Sequence, residues 1–182
     1  MTVQRQRGEI TVRPFARSDI SSLYSAIRSS IDSLSRSLPW CHAGYSLHDA
    51  EQWVDHCLES WSANAEFPLG IFNAAGVVIG GTGLNHVNRA YNMASIGYWV
   101  SEAHRGTGIA STAAGLAAEI GFNELGFTRL EIVVLPENVA SNKVARKIGA
   151  TLEAEARNRI LFKGRTAGAF VYSLVPEDIV GG

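Results

Sequence analysis

At 182 residues, with 46% hydrophobic and 18% charged side chains, the chain has the size and composition of one domain with a full core. Its formal net charge of −1 gives no global pull toward nucleic acid or an anionic membrane. The amino terminus MTVQRQRGE lacks the apolar core of a signal peptide, and no apolar run is long enough to span a bilayer, so a cytoplasmic protein is expected. Cys41 and Cys57 make neither a disulfide framework nor a zinc site, and the five histidines lack ligand spacing, so no metal is expected.

Along the chain, Glu9 to Arg13 alternates Ile10 and Val12 with polar neighbours, the pattern of a half-buried strand that Pro14 ends. Ser18 reads as an N-cap, with Asp19 in the first turn and Ile20, Leu23, Tyr24 and Ile27 on one helical face. Ser29 to Arg36 carries a weaker helical signal, broken at Leu38-Pro39-Trp40. A capping box, Ser46 with Asp49, opens a second helix whose apolar stripe is Ala50, Trp53, Val54, Cys57, Leu58 and Trp61. At that spacing Trp53 and Trp61 read as core.

Strand patterns follow. Pro68 to Phe72 and Val77 to Leu84 flank the turn Asn73-Ala74-Ala75-Gly76, which predicts an antiparallel hairpin. No helix follows Gly80, Gly81 and Gly83, so they signal close backbone approach or a bulge rather than a nucleotide loop. Asn85 to Asn92 reads as a polar connection and Ala94 to Val100 as the next strand. A glycine loop then leads to a helix carrying Ile109, Ala113, Leu116, Ala117 and Ile120, with Gly126 at its exit. Arg129 to Leu135 is a β-branched strand, parallel to Ala94–Val100 if the helix crosses over right-handed. Pro136-Glu137-Asn138 starts a short helix that Gly149 stops. Two long strands, Glu153 to Phe162 and Gly168 to Leu174, turn at Lys163-Gly164-Arg165. No repeat or linker interrupts, and residues 1–182 read as one domain.

The glycine loop, Arg105-Gly106-Thr107-Gly108-Ile109-Ala110, joins a strand to a helix, which is what a phosphate site needs: converging backbone N–H groups at the positive end of a helix dipole. A Walker loop requires a following Gly-Lys-Ser/Thr, and no lysine is present. A dinucleotide fingerprint requires a third glycine, where Ser111 stands, and belongs in the first βαβ unit rather than after a hairpin.

Arg105-x-x-Gly108-x-Ala110 instead resembles the acyl-coenzyme A pyrophosphate motif of the GNAT N-acetyltransferase superfamily. Gly97-Tyr98-Trp99-Val100, Leu38-Pro39-Trp40 and Pro136-Glu137-Asn138-x-x-Ser141-Asn142-Lys143 resemble its ribosomal-protein (RimJ/RimL-type) branch, in the family's order from Ile10 to Leu174. The resemblance implies an α/β (α+β) acyltransferase fold. Its mixed sheet has about six or seven strands, splayed between two parallel strands and flanked by about four helices. It implies acetyl-CoA in that splay, with Tyr98, Trp99, Val100, Arg105, Gly106, Thr107, Gly108, Ile109, Ala110, Asn138 and Asn142 as cofactor-cleft residues. Asn138 also makes sense as a helix N-cap. Lys143 and Arg146 either meet phosphate or are solvated. The resemblance also allows a homodimer.

Acetyl transfer to an amine needs deprotonation of the ammonium, stabilisation of an oxyanion and a proton for the departing thiolate. A backbone N–H of Tyr98–Val100 can meet the oxyanion. By resemblance Ser141 protonates the thiolate and Glu102 is a carboxylate of the branch. Many relatives also carry a glutamate where this chain has Ser95, which leaves open a water-relayed base. Glu131 is another carboxylate, although strand alternation can turn it away. Acceptor selection is assigned to Leu38–Tyr45, the helix carrying Trp53 and the hairpin near Lys163. Trp40, Cys41, His42 and Tyr45 form either an acceptor wall or an aromatic cap on the core. The expected acceptor is a protein N-terminal α-amine, then a small-molecule amine. A non-catalytic coenzyme A-binding sensor is the alternative outside the enzyme class.

Overall fold

The computed structural model describes residues 3–162 and 164–179, so Lys163 lies outside the described residues. Eight strands form one sheet: β1 (Arg5–Arg7), β2 (Ile10–Arg13), β3 (Phe67–Phe72), β4 (Val78–Asn88), β5 (Met93–Val100), β6 (Arg129–Val134), β7 (Thr151–Phe162) and β8 (Arg165–Leu174). Their order is β1-β2-β3-β4-β5-β6-β8-β7. Every neighbouring pair is antiparallel except β5–β6. The helices are α1 (Ile20–Arg28), the single turn α2 (Ile31–Leu34), α3 (Leu47–Ser62), α4 (Ile109–Asn123) and α5 (Val139–Lys147).

The strand count exceeds the expected six or seven because β1 folds back on β2 through Gly8, whose φ is +59°. Three residues with little burial give no alternation to read. The 85–92 connection also needs correction. β4 runs on to Asn88 past a register shift, with His86 at φ +49°, so the polar residues belong to an irregular strand end.

Side-chain alternation divides the core between the two faces of the sheet. Leu69, Ile71 and Ile79 pack with Ala113, Leu116, Ala117 and Ile120 of α4. Phe72 and Val78 point the other way, into Leu23, Ile27, Ala50, Val54 and Cys57 of α1 and α3. α4 lies close to the sheet because it faces it with small residues. A Cβ added at Gly121 would come 3.0 Å from both Leu84 and Leu130.

Local signals mostly hold. Ser46 Oγ accepts the Asp49 N–H at 3.3 Å while Asp49 Oδ2 accepts the Ser46 N–H at 2.7 Å, the expected capping box. The start of α1 differs. A 3-10 turn at Arg17–Asp19 precedes it, so the N-cap position falls on Asp19 rather than Ser18, and the Asp19 carboxylate accepts the Ala16 N–H at 2.8 Å instead of capping α1. Arg13 grips the same carboxylate at 2.8 and 2.9 Å. Burial would raise the Asp19 carboxyl, but Arg13 and the Ala16 N–H outweigh it and hold it lowered.

On the β6–β8–β7 side, Arg129 bridges Glu131 at 2.9 Å and Glu153 at 2.5 Å. Hydrogen bonds from Arg129 and then Ser173 pull the Glu153 carboxyl down from 4.5 to about 2. Because the folded value is the depressed one, this contribution is complete above about pH 4.5 and is lost as pH falls toward 2. Glu153 is exposed, so its stabilisation is ~1 kcal/mol or less. Urea midpoints of the wild type and Glu153→Gln should therefore differ at pH 6 and converge as the pH falls below 4. A gap that stays constant across that range would mean the ion pair contributes nothing.

Candidate active site

β5 and β6 pair only at Met93–Arg129, Ala94–Leu130 and Ser95–Glu131. Beyond Ser95, β5 stays bonded to β4 as far as Val100–Gly80, and β6 stays bonded to β8 as far as Val134–Phe170. The two strands thus part, and the backbone edges of Ile96–Val100 and Ile132–Val134 face a wedge. Such edges suit an extended chain bearing amides.

The glycine loop closes the wide end. Gly106 and Gly108 have φ of +75° and +86°, a region where a β-carbon costs ~1–2 kcal/mol. Thr107 Oγ1 donates to His104 O at 2.7 Å and shapes the turn. Gly108 is the N-cap of α4 and brings no side-chain cap, so the first N–H groups of α4, from Ile109 and Ala110 onward, keep their hydrogen-bonding capacity for a ligand. A Cβ at Gly108 would come 3.4 Å from Lys147 Nζ. The sequence left Lys143 and Arg146 open between a phosphate contact and solvent, and gave no signal for Lys147, one turn beyond Lys143. An uncapped helix start with a lysine beside it fits a pyrophosphate. Arg105, by contrast, is exposed, its Nε approaching Val100 O at 3.5 Å.

Across the wedge, the Tyr98 hydroxyl donates to the Ser141 carbonyl at 3.2 Å. Burial pushes the Tyr98 phenol up to about 12, so it remains a donor at neutral pH. Ser141 sits in the first turn of α5, its N–H bonded to Asn138 Oδ1 at 3.1 Å, and Asn138 is the N-cap of that helix. Asn142 is buried. Its Nδ2 donates to the carbonyls of Leu135, Pro136 and Asn138, and its Oδ1 accepts the Tyr172 hydroxyl at 2.8 Å. It therefore braces the link from β6 to α5. Glu102 lies on an exposed 3-10 turn, with its backbone N–H donated to the buried Ser30 Oγ at 2.9 Å. Glu131 is held by Arg129 at 2.9 Å and Arg159 at 3.4 Å, away from any role as a free base.

On the far side of β5 lies a cavity of about 550 Å³. Its floor is backbone, at Gly81, Gly83 and Gly97. The β4 glycines are needed there. A Cβ at Gly80 would meet Trp99 O at 2.4 Å, and one at Gly81 would meet Trp99 Nε1 at 2.5 Å. Its walls are aromatic. Trp40 meets Trp99 edge-on at 6.1 Å between centroids and Tyr45 at 6.3 Å. Trp53 stands beside His56 at 5.4 Å. Trp53 is 41% exposed and lines this cavity, so its assignment to the core is corrected. Trp61 behaves as core, donating to Pro68 O at 2.7 Å and packing on Phe67. Tyr45 and Cys41 are buried, and burial raises both their acid groups and keeps them protonated. Tyr98 borders the cavity as well as Ser141. Glu66, half-buried in the same lining, was missed from sequence because it precedes a strand and belongs to no motif.

A split parallel pair, an uncapped helix start and an adjoining cavity define an acyl-CoA-dependent acyltransferase. The chain belongs to the acetyltransferase (GNAT) family, whose domain model matches residues 9–151. It is 32% identical over 122 residues to the probable N-acetyltransferase YjcK of Bacillus subtilis (strain 168), covering 66% of this chain and 67% of that protein. It is 31% identical over 86 residues to the spermidine N(1)-acetyltransferase of Escherichia coli (strain K12), covering 47% of this chain and 45% of that one. The chain thus spans about half to two thirds of these curated relatives. Among solved structures, a "putative ribosomal-protein-serine acetyltransferase" from Vibrio cholerae aligns with a TM-score of 0.82 at 30% identity, covering 97% of this chain and 100% of that chain. The microcin C7 self-immunity acetyltransferase MccE, solved with acetyl-CoA and AMP, aligns with a TM-score of 0.84 at 23% identity over 93% of each chain. Among the described residues, no cluster could hold a metal ion and no helix is long and apolar enough to cross a membrane.

Gly108→Val places a β-branched side chain at φ +86° and against Lys147. Calorimetry should show acetyl-CoA affinity falling at least tenfold, with the unfolding free energy lowered by only ~2 kcal/mol. Undiminished affinity would mean the pyrophosphate sits elsewhere.

Proposed function

We propose that the chain moves the acetyl group of acetyl-CoA onto a primary amine in the cytoplasm, foremost a protein N-terminal α-amine. The observation that carries this reading is the double position of Tyr98. It borders the aromatic cavity, and its phenol touches the turn that holds Ser141. Donor cleft and acceptor cavity therefore meet at one residue. The Vibrio cholerae relative, matched over its full length, supports a ribosomal-protein type of acceptor. The spermidine enzyme matches over less than half of each chain.

In this reading the first N–H groups of α4, with Lys147, hold the pyrophosphate. The open edges of β5 and β6 bind the pantetheine amides, and a backbone N–H within Tyr98–Val100 meets the acetyl oxygen as charge grows on it. As the tetrahedral intermediate collapses, Ser141 gives its hydroxyl proton to the leaving thiolate and takes up the proton that the newly acylated nitrogen sheds. Tyr98 and Asn138 fix the turn that aims it, and Asn142 braces that turn from behind. Glu102, at the rim, takes the amine's proton through water. Placing amine and thioester together supplies much of the acceleration.

Release of free thiol on mixing acetyl-CoA with N-terminal peptides and small amines tests the activity. Tight acetyl-CoA binding without turnover of any amine would sink the enzyme reading and leave a coenzyme A sensor. Ser141→Ala should reduce kcat by ~10²-fold or more while acetyl-CoA affinity stays within about twofold. An unchanged kcat would strip Ser141 of its role.

A further inference from the structure

We infer that the acceptor carries its amine on a large apolar body of aromatic size, seated in the 550 Å³ cavity against Trp40 and Trp99. The inference rests on the acetyl-transfer reading above and narrows its acceptor. The cavity falls within the ~300–1,000 Å³ of sites that enclose small organic ligands, far more than an alanine or serine side chain fills. Its walls are flat and rigid. Trp99 is fixed by the backbone beneath it, since any side chain at Gly81 would collide with the indole. Trp40 stacks edge-on against it and is still 45% exposed, leaving apolar surface for a ligand to cover.

The charge inventory points the same way. Asp49 is committed to capping α3, accepting both the N–H and the hydroxyl of Ser46 at 2.7 Å. Glu66 accepts the His86 N–H at 3.2 Å and is the other carboxylate of the lining. Each keeps its second oxygen outside these bonds, so the lining offers two partly engaged carboxylates, enough for one or two ammonium groups. A polyamine would bring several, and cation–π contact with an indole offsets the lost hydration of one of them rather than all.

The test measures kcat/KM by thiol release for short peptides alike except in the first residue, and for 2-phenylethylamine against spermidine. Peptides beginning with phenylalanine or methionine should exceed those beginning with serine or alanine by about tenfold or more, and 2-phenylethylamine should exceed spermidine similarly. An equal or reversed order in either comparison overturns the inference. Turnover of 2-phenylethylamine without any peptide upholds it and overturns the N-terminal acceptor instead, whereas no turnover of any amine overturns both. Trp40→Ala and Trp53→Ala change half-exposed residues and leave the core intact. Trp40→Ala should raise KM for the phenylalanine peptide severalfold and shrink its advantage over the serine peptide, at unchanged KM for acetyl-CoA. If neither variant alters that advantage, the seat is not there.

Discussion

The hydrogen bonding between β5 and β6 stops after Ser95 and Glu131, and the rest of the molecule is arranged around that stop. Backbone N–H and C=O groups left without partners inside a protein each cost ~1–3 kcal/mol, so strands do not part without cause. Here each strand keeps its outer partner well past the fork. β5 follows β4 to Val100 and β6 follows β8 to Val134. The wedge is therefore held open by two intact antiparallel ladders, and its inner edges are free to bind a cofactor that itself carries amides.

Both ends of the wedge must be stiff for this to work. α4 begins without a side-chain cap, which would weaken an isolated helix by ~1 kcal/mol. Burial compensates. Leu116 and Ile120 are fully buried, and each such side chain contributes ~1.5–3 kcal/mol. At the other end, Asn142 spends all its polar groups on the backbone before α5 and on Tyr172. Replacing it would leave a buried tyrosine hydroxyl without its acceptor, so its structural duty is evident even with no ligand considered.

Much of this was readable in the residue pattern because it rests on local rules. The Ser46–Asp49 box, the Asn73–Gly76 turn, the glycine loop and the Asn138 cap each depend on residues within a few positions, and all four lie where the pattern puts them. What escaped depended on partners distant in sequence. Trp53 sits on an apolar helical stripe like Trp61, yet the stripe is wider than the face α3 buries, so one indole enters the core and the other looks into a cavity. Lys147 reaches Gly108 only because α5 lies against α4. The glycines of β4 gave a correct signal of close approach, but nothing in their spacing named Trp99 as the neighbour.

The two halves of the site are also joined behind the chemistry. Ser30, fully buried between α1 and α2, accepts the backbone N–H of Glu102, at the start of the turn that leads into the glycine loop. α1, which lines the cavity with Leu23 and Ile27, is thus tied just past its end to the turn before the loop that would hold the donor's phosphates. Tyr98 makes the second tie, bordering the cavity while holding the Ser141 turn across the wedge. A shift of α1 to admit an acceptor is therefore resisted by this contact to the donor side, which favours a preformed cavity over one opened on binding. In a preformed cavity the aromatic wall of Trp40, Tyr45 and Trp99 seen in the free protein is the wall that an acceptor would meet.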